Sequence, residues 1–159
     1  MKKKKVKLGD IKSGDVVSFE CVPGTFGYGV IVSRIMDGHV AELCKYFGPG
    51  PEMPPESNLA DTFFPPVILD AFSLIEKAVE GDWRIVGHIS NYLPDDRVSN
   101  IRFRWGVKGK QSTTDIHNHH EKVSDEEAAK WPNASPSGDW DVKNYLKDQG
   151  VDPELLGLA

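Results

Sequence analysis

Gly14-Asp15-Val16-Val17-Ser18-Phe19-Glu20-Cys21-Val22, then Pro23-Gly24-Thr25, then Phe26-Gly27-Tyr28-Gly29-Val30-Ile31-Val32-Ser33-Arg34-Ile35, then Met36-Asp37-Gly38-His39, then Val40-Ala41-Glu42-Leu43-Cys44-Lys45-Tyr46-Phe47 is the stretch that decides the fold. It holds three β-branched and aromatic runs separated by two turn signals, Pro23-Gly24 and Asp37-Gly38. Asp-Gly between apolar runs is a strong hairpin signal, because both residues tolerate positive φ. Residues 15–47 are therefore predicted to form a three-stranded antiparallel meander. The glycines on either side of Tyr28 let the second strand bend, or let another segment cross closely over it. A short, strongly bent meander of this kind is how small barrels begin.

Toward the N-terminus, residues 1–12 carry six lysines and one aspartate, a net of +5; with the whole chain at −5, residues 13–159 carry −10. The expectation is a solvated basic tail (residues 1–12) ahead of one β-rich domain with C-terminal helices (residues 13–159). No apolar run follows the lysines, so the start does not read as a secretory signal. No stretch approaches the roughly 20 apolar residues that a membrane-spanning helix needs. Cys21 and Cys44 are too few for a disulfide scaffold, and are expected to be buried free thiols in a cytoplasmic protein. An acidic body disfavours nucleic acid, whose phosphates need clustered cations. It favours a basic protein partner, drawn in by long-range attraction.

Toward the C-terminus, residues 48–66 hold six prolines, which lack the N–H a ladder needs, so an extended surface connection is expected. Residues 67–74 are apolar and too short to separate a buried strand from a helical turn. Residues 81–89 alternate, with Trp83, Ile85 and Gly87 on one face and Arg84, Val86 and His88 on the other, as a half-buried strand does. Ile101, Phe103 and Trp105 alternate with Arg102 and Arg104, and residues 106–111 read as the turn that follows. Residues 112–123 read as a polar strand or loop. Ser124 with Glu127 three residues on fits a capping box, opening a short helix through Trp131 that Pro132 ends. Asp139 is expected to cap a second helix, with Trp140, Val142 or Lys143, Tyr145 and Leu146 in its apolar stripe and Gly150 at its end. Pro153 then starts a last turn. The fold class is α+β, mostly β: a small, strongly bent antiparallel sheet of about six strands or a partly open SH3-like barrel, with two short C-terminal helices.

Asp115-Ile116-His117-Asn118-His119-His120-Glu121 is the one dense cluster of ligating side chains. In an extended strand His117, His119 and Glu121 would share a side with Asp115, and such a set could hold zinc or iron. The spacing matches none of the strong metal signatures, so a solvated polar strand or turn is the expected reading; a metal-dependent enzyme built on His117 and His119 is the alternative. Cys44 with His39 or His88 could form a nucleophile pair only if the fold brought them together. The glycines make no phosphate-cradling loop. The four tryptophans read as core or helix-docking anchors. The residues thus point to no catalysis, no metal and no cofactor.

The order of these motifs is similar to that of a known family. Gly14-Asp15-Val16-Val17-Ser18-Phe19 and Phe26-Gly27-Tyr28-Gly29-Val30-Ile31 resemble the opening strands of the immunity protein twenty-six family, whose members occur beside bacterial polymorphic toxins. Gly81-Asp82-Trp83-Arg84-Ile85-Val86-Gly87 resembles that family's later Gly-x-Trp-x-Val-Ile-Gly strand, and Trp140-Asp141-Val142-Lys143-Asn144-Tyr145-Leu146 its closing helix. The resemblance implies a non-enzymatic protein that binds and neutralises a cognate toxin, with no nucleic acid or membrane partner; an acidic immunity protein suits a basic, nuclease-like toxin domain. It carries over no site residues. Charge supplies them instead: Asp125, Glu126, Glu127, Asp139 and Asp141, near the two helix starts, are the expected partner-binding residues. A β-barrel module binding nucleic acid or Pro-rich peptide is a further alternative.

Overall fold

The continuous apolar runs of the opening stretch become strands covered on both faces. In the computed structural model, which describes residues 5–36 and 38–152, β1 (Asp15–Val22), β2 (Thr25–Ile35) and β3 (Gly38–Gly48) pair as the expected antiparallel meander. Gly24, at φ +83°, closes the first hairpin; Asp37 of the second turn lies outside the described residues. β4 (Val67–Leu69) joins β3 and β5 (Trp83–His88) joins β1, giving the order β4-β3-β2-β1-β5. Alternate residues point to opposite faces. Val17, Phe19, Ile31 and Leu43 enter one cluster with Leu74 and Trp83, while Val16, Val30 and Cys44 enter another with Phe26 and Leu59. A sheet covered on both sides needs unbroken apolar runs.

Gly27 has a specific reason to be glycine. It pairs with Phe19 across the β1–β2 ladder, and a Cβ there would lie 2.5 Å from Phe19 Cζ. The phenyl ring occupies the space that a side chain would take.

The polar second half supplies another sheet. β6 (Arg102–Val107), β7 (Lys110–Asp115) and β8 (His120–Val123) form a three-stranded antiparallel unit. The protein is α+β and mostly β, as expected, with its described strands in two open sheets of five and three rather than one sheet or a barrel. The turn read over residues 106–111 is only Lys108-Gly109, because β6 runs on through Val107 and β7 begins at Lys110. Residues 67–74 divide between the two readings, a strand at Val67–Leu69 and a helical turn at Phe72–Glu76.

The sheets meet through apolar side chains and through one strap. Val32, Ile35, Val40 and Ile68 of the large sheet pack with Val98, Ile101, Phe103 and Ile116. Val98 sits on α1 (Asp96–Ser99), capped by the Asp95 carboxylate accepting from the Val98 N–H at 3.0 Å. The segment 132–137 then bonds to an edge of each sheet. Arg104 N–H donates to Pro132 O and Ala134 N–H to Arg104 O, both at 2.8 Å, while Asp70 N–H donates to Ser137 O at 2.9 Å. The strap thereby occupies the outer edges of β6 and β4.

Both C-terminal helices are present, the first with its expected cap and the second with its cap one residue early. α2 (Asp125–Ala128) is shorter than expected; Ser124 Oγ accepts from the Glu127 N–H at 3.1 Å as a cap should. α3 (Asp139–Asp148) is capped at Gly138, one residue before the expected Asp139, and the Asp141 carboxylate accepts from the Gly138 N–H at 3.0 Å. Its end is a Schellman motif: Gly150 at φ +89°, Gly150 N–H to Lys147 O, Val151 N–H to Leu146 O. Val142 and Leu146 bury against the large sheet.

The connections are more embedded than the sequence suggests. Val6, Leu8 and Ile11 pack against the core, and Leu8 N–H donates to Glu76 Oε1 at 3.0 Å, so packing begins inside the expected basic tail. The proline-rich connection inserts Leu59 and Phe63 into the core. The turn expected at Pro153 lies outside the described residues.

Candidate functional site: a groove along an open sheet edge

β5 is the last strand of the large sheet, and among the described residues no strand pairs with its outer edge. The other sheet edges are handled differently. The strap covers β4 and β6, and β8 presents exposed His120, Glu121 and Lys122, the charged side chains that deter edge-to-edge pairing. Beside β5 lies a cavity of about 730 Å³. Its floor is Trp83, Arg84, Ile85 and Val86. Pro51, Glu52 and Met53 form one wall; Lys5, Val6, Asp10 and residues 75–78 form the other. Volume and apolar lining fall in the range of ordinary binding clefts. Met53 lies over Gly87, where a Cβ would meet its sulfur, so the groove ends there.

At the other end of β5 the groove floor is tied to α3 through Trp83. Trp83, only 1% exposed, donates from Nε1 to Asp139 Oδ1 at 2.9 Å, and Lys143 Nζ donates to Asp139 Oδ2 at 2.8 Å. Asp139 is thus an internal tie, its side chain 16% exposed. The next residue, Trp140, is 72% exposed. This differs from its expected place in the apolar stripe, which is Val142, Tyr145 and Leu146 alone.

The five acids singled out by charge fall on both helix starts. Asp125 accepts from Gly109 N–H at 2.9 and 3.1 Å, bracing the β6–β7 turn. Glu127 accepts from Lys130 at 3.0 Å and from Trp131 Nε1 at 3.3 Å; those bonds hold its carboxyl below the usual range. Glu126 and Asp141 are exposed. α2 packs on β7 and α3 on the large sheet, so the five do not belong to one element. Glu126, Asp141 and Trp140 are the members of this region best placed to meet a partner.

The histidine cluster has a local structural explanation. Residues 116–119 turn between β7 and β8, so His117, His119 and Glu121 do not line one extended strand. Asp115 Oδ1 accepts from the His117 and His119 N–H groups, each at 2.9 Å. Partial burial pulls the Asp115 carboxyl up, but the two N–H donors outweigh it and hold the group below its usual range. Asn118, at φ +65°, accepts from Met36 N–H at 2.8 Å and fastens the turn to β2. Among the described residues no three His, Cys, Asp or Glu side chains are grouped to hold a metal ion.

Two further polar pairs were not legible. Asp15, buried, accepts from Lys12 N–H at 2.8 Å and pairs with His88 Nδ1 at 2.9 Å. Glu42, also buried, accepts from Thr62 Oγ1 at 3.0 Å and from the Tyr92 hydroxyl, whose pKa is raised by burial and by that bond. Each pair joins residues 50 or more positions apart, beyond the reach of any local motif. Cys21 and Cys44 are buried and unbridged; burial pushes both thiols up to about 12, so neither is a thiolate nucleophile at neutral pH. Among the described residues no helix is long and apolar enough to cross a membrane.

Comparison with family models, with curated proteins and with solved structures finds no match to this chain. The likeness to immunity proteins therefore rests on the motifs quoted above.

Proposed function

We propose that this protein binds and neutralises a basic protein partner in the cytoplasm, without catalysis, as the immunity proteins that its motifs resemble do with their cognate toxins. The observation that carries this reading is Trp140, held 72% exposed between Asp139 and Asp141 at the start of α3. A tryptophan buries about 150–250 Å² when covered, and tryptophans are enriched among the few residues that dominate interface energies. The surrounding charge selects the partner. Residues 13–159 carry −10, which speeds encounter with a cationic surface and suits the basic phosphate path of a nuclease-like toxin domain.

The test is calorimetric titration with the protein encoded by the neighbouring gene. Trp140→Ala is expected to weaken binding at least ~30-fold, about 2 kcal/mol, without moving the unfolding midpoint, because Trp140 lies outside the core clusters. Glu126→Lys is expected to slow association roughly two- to tenfold and flatten its salt dependence. An unaltered affinity for Trp140→Ala removes α3 from the interface. A neighbouring product that is not basic and does not bind ends the proposal.

A further inference from the structure

Resting on the reading of a basic protein partner, we infer that the open edge of β5 takes up an extended segment of that partner as a sixth strand of the large sheet. The edge presents backbone N–H and C=O groups in a groove, and the group that complements them at strand spacing is another polypeptide backbone. The groove has the shape for it. A guest strand lies about 4.8 Å from its neighbour and advances about 3.3 Å per residue; the floor here is Trp83 to Val86, four residues, or about 13 Å of chain. Alternate guest side chains would then point to opposite walls. One wall carries Met53 and the other Ile75 and Val6, so each offers apolar contact.

The ends of the slot are defined. Val86 is the extra residue where the β1–β5 register shifts between Val16 and Val17, a bulge that bends the edge. Met53 covers Gly87 just beyond it. Pairing is therefore confined to the four floor residues, a length that gives specificity without inviting sheet-to-sheet aggregation.

Charge argues for a basic guest over a second copy of this chain. Asp10 and Glu52 are exposed on opposite walls. Of the cations in the lining, Arg84 is engaged by Asp82 at 3.1 Å, Lys77 sits over the Phe72 ring, 5.5 Å from its centroid, and Lys5 is exposed. The lining is thus balanced, and the preference for a basic guest comes from the body as a whole, where residues 13–159 carry −10. A second copy would bring its own −5 net charge.

Hydrogen exchange on the full chain, with and without the purified product of the neighbouring gene, tests this directly. Amides of residues 83–86 are expected to slow about tenfold or more when the partner binds. Val86→Arg, which fills the slot with a bulky cation but also disturbs core packing, is expected to weaken binding at least tenfold, and Glu52→Lys, on the exposed wall, to weaken it severalfold with its unfolding midpoint kept. A panel of phage-displayed random heptapeptides serves as the second probe, with basic extended sequences expected to be enriched. If the neighbouring product binds and the β5 amides exchange unchanged, the slot is overturned while the partner reading stands. If that product fails to bind but basic heptapeptides protect β5, the partner reading falls and the slot survives. Protection that grows with this chain's own concentration and no added probe would assign the edge to self-association and overturn the inference. Enrichment of nothing by either probe overturns both.

Discussion

Replacing Trp83 with alanine is expected to cost about 3–5 kcal/mol of folding stability, a large part of the 5–15 kcal/mol that holds a typical domain folded. Two contacts converge on this side chain, and one of them continues into the next strand. Its ring stacks on Phe19 at 4.4 Å between centroids and 15° between planes. Phe19 in turn lies over Gly27, so β5, β1 and β2 are joined by one aromatic column. The indole N–H bonds Asp139, which ties the start of α3 to the end of the groove. Trp83→Phe separates the terms. It keeps a ring on Phe19 and loses the bond, and is expected to cost only about 1–2 kcal/mol, with faster amide exchange confined to residues 139–148 as the helix start loosens. Urea unfolding of the two variants checks both figures. A Trp83→Ala loss under about 1 kcal/mol would mean that the column does not organise this side of the sheet.

What the sequence shows of this molecule, and what it hides, follows from the range of the forces involved. The meander was legible because β-branched runs and Gly-containing turns act over a few residues. Of the second sheet, β6 was legible through its alternation of Ile101, Phe103 and Trp105, but β7 reads Lys-Gln-Ser-Thr-Thr-Asp: its Thr113 and Thr114 are buried by pairing with β6 and β8, and nothing in their polarity announces it. Asp139 reads as a cap because aspartate at a helix start so often is one, but its carboxylate bonds Trp83, 56 positions away. Trp140 could have been placed correctly. At 3.6 residues per turn Val142, Tyr145 and Leu146 share a face, and position 140 lies nearly opposite. The groove could not have been read at all, since its walls come from residues 5–10, 51–53 and 75–78, brought together only by packing. The histidine cluster was expected as a solvated polar strand or turn, and it is a turn whose ligand-rich composition includes the aspartate that accepts its N–H groups and an αL asparagine.

Between pH 6.5 and about 4 the protein is expected to lose about 3 kcal/mol of stability through one side chain, His39. The residue is 1% exposed on β3, and among the described residues neither ring nitrogen has a hydrogen-bond partner. Burial, with a smaller contribution from the Arg34 charge paired across the strand, lowers its pKa from 6.5 to about 4. The sign follows from which state takes up the proton. Above pH 6.5 both folded and unfolded chains hold a neutral imidazole, and the group adds no pH dependence. Below 6.5 the unfolded chain is protonated and the folded one is not, so acid favours unfolding until the folded value is reached. At 1.36 kcal/mol for each pH unit between the two values, the loss comes to about 3 kcal/mol. Other groups titrate over the same range, so the measurement is a difference: urea unfolding at pH 7 and pH 4.5 for the natural chain and for His39→Leu. The variant carries no proton to refuse and no orphaned ring nitrogen, whose burial costs about 1–3 kcal/mol. It is expected to match or exceed the natural chain at pH 7 and to fall less steeply toward pH 4.5, by about 2 kcal/mol. Equal losses in the two proteins would show that His39 finds a partner for its proton in the folded state, and that the strand accepts its charge.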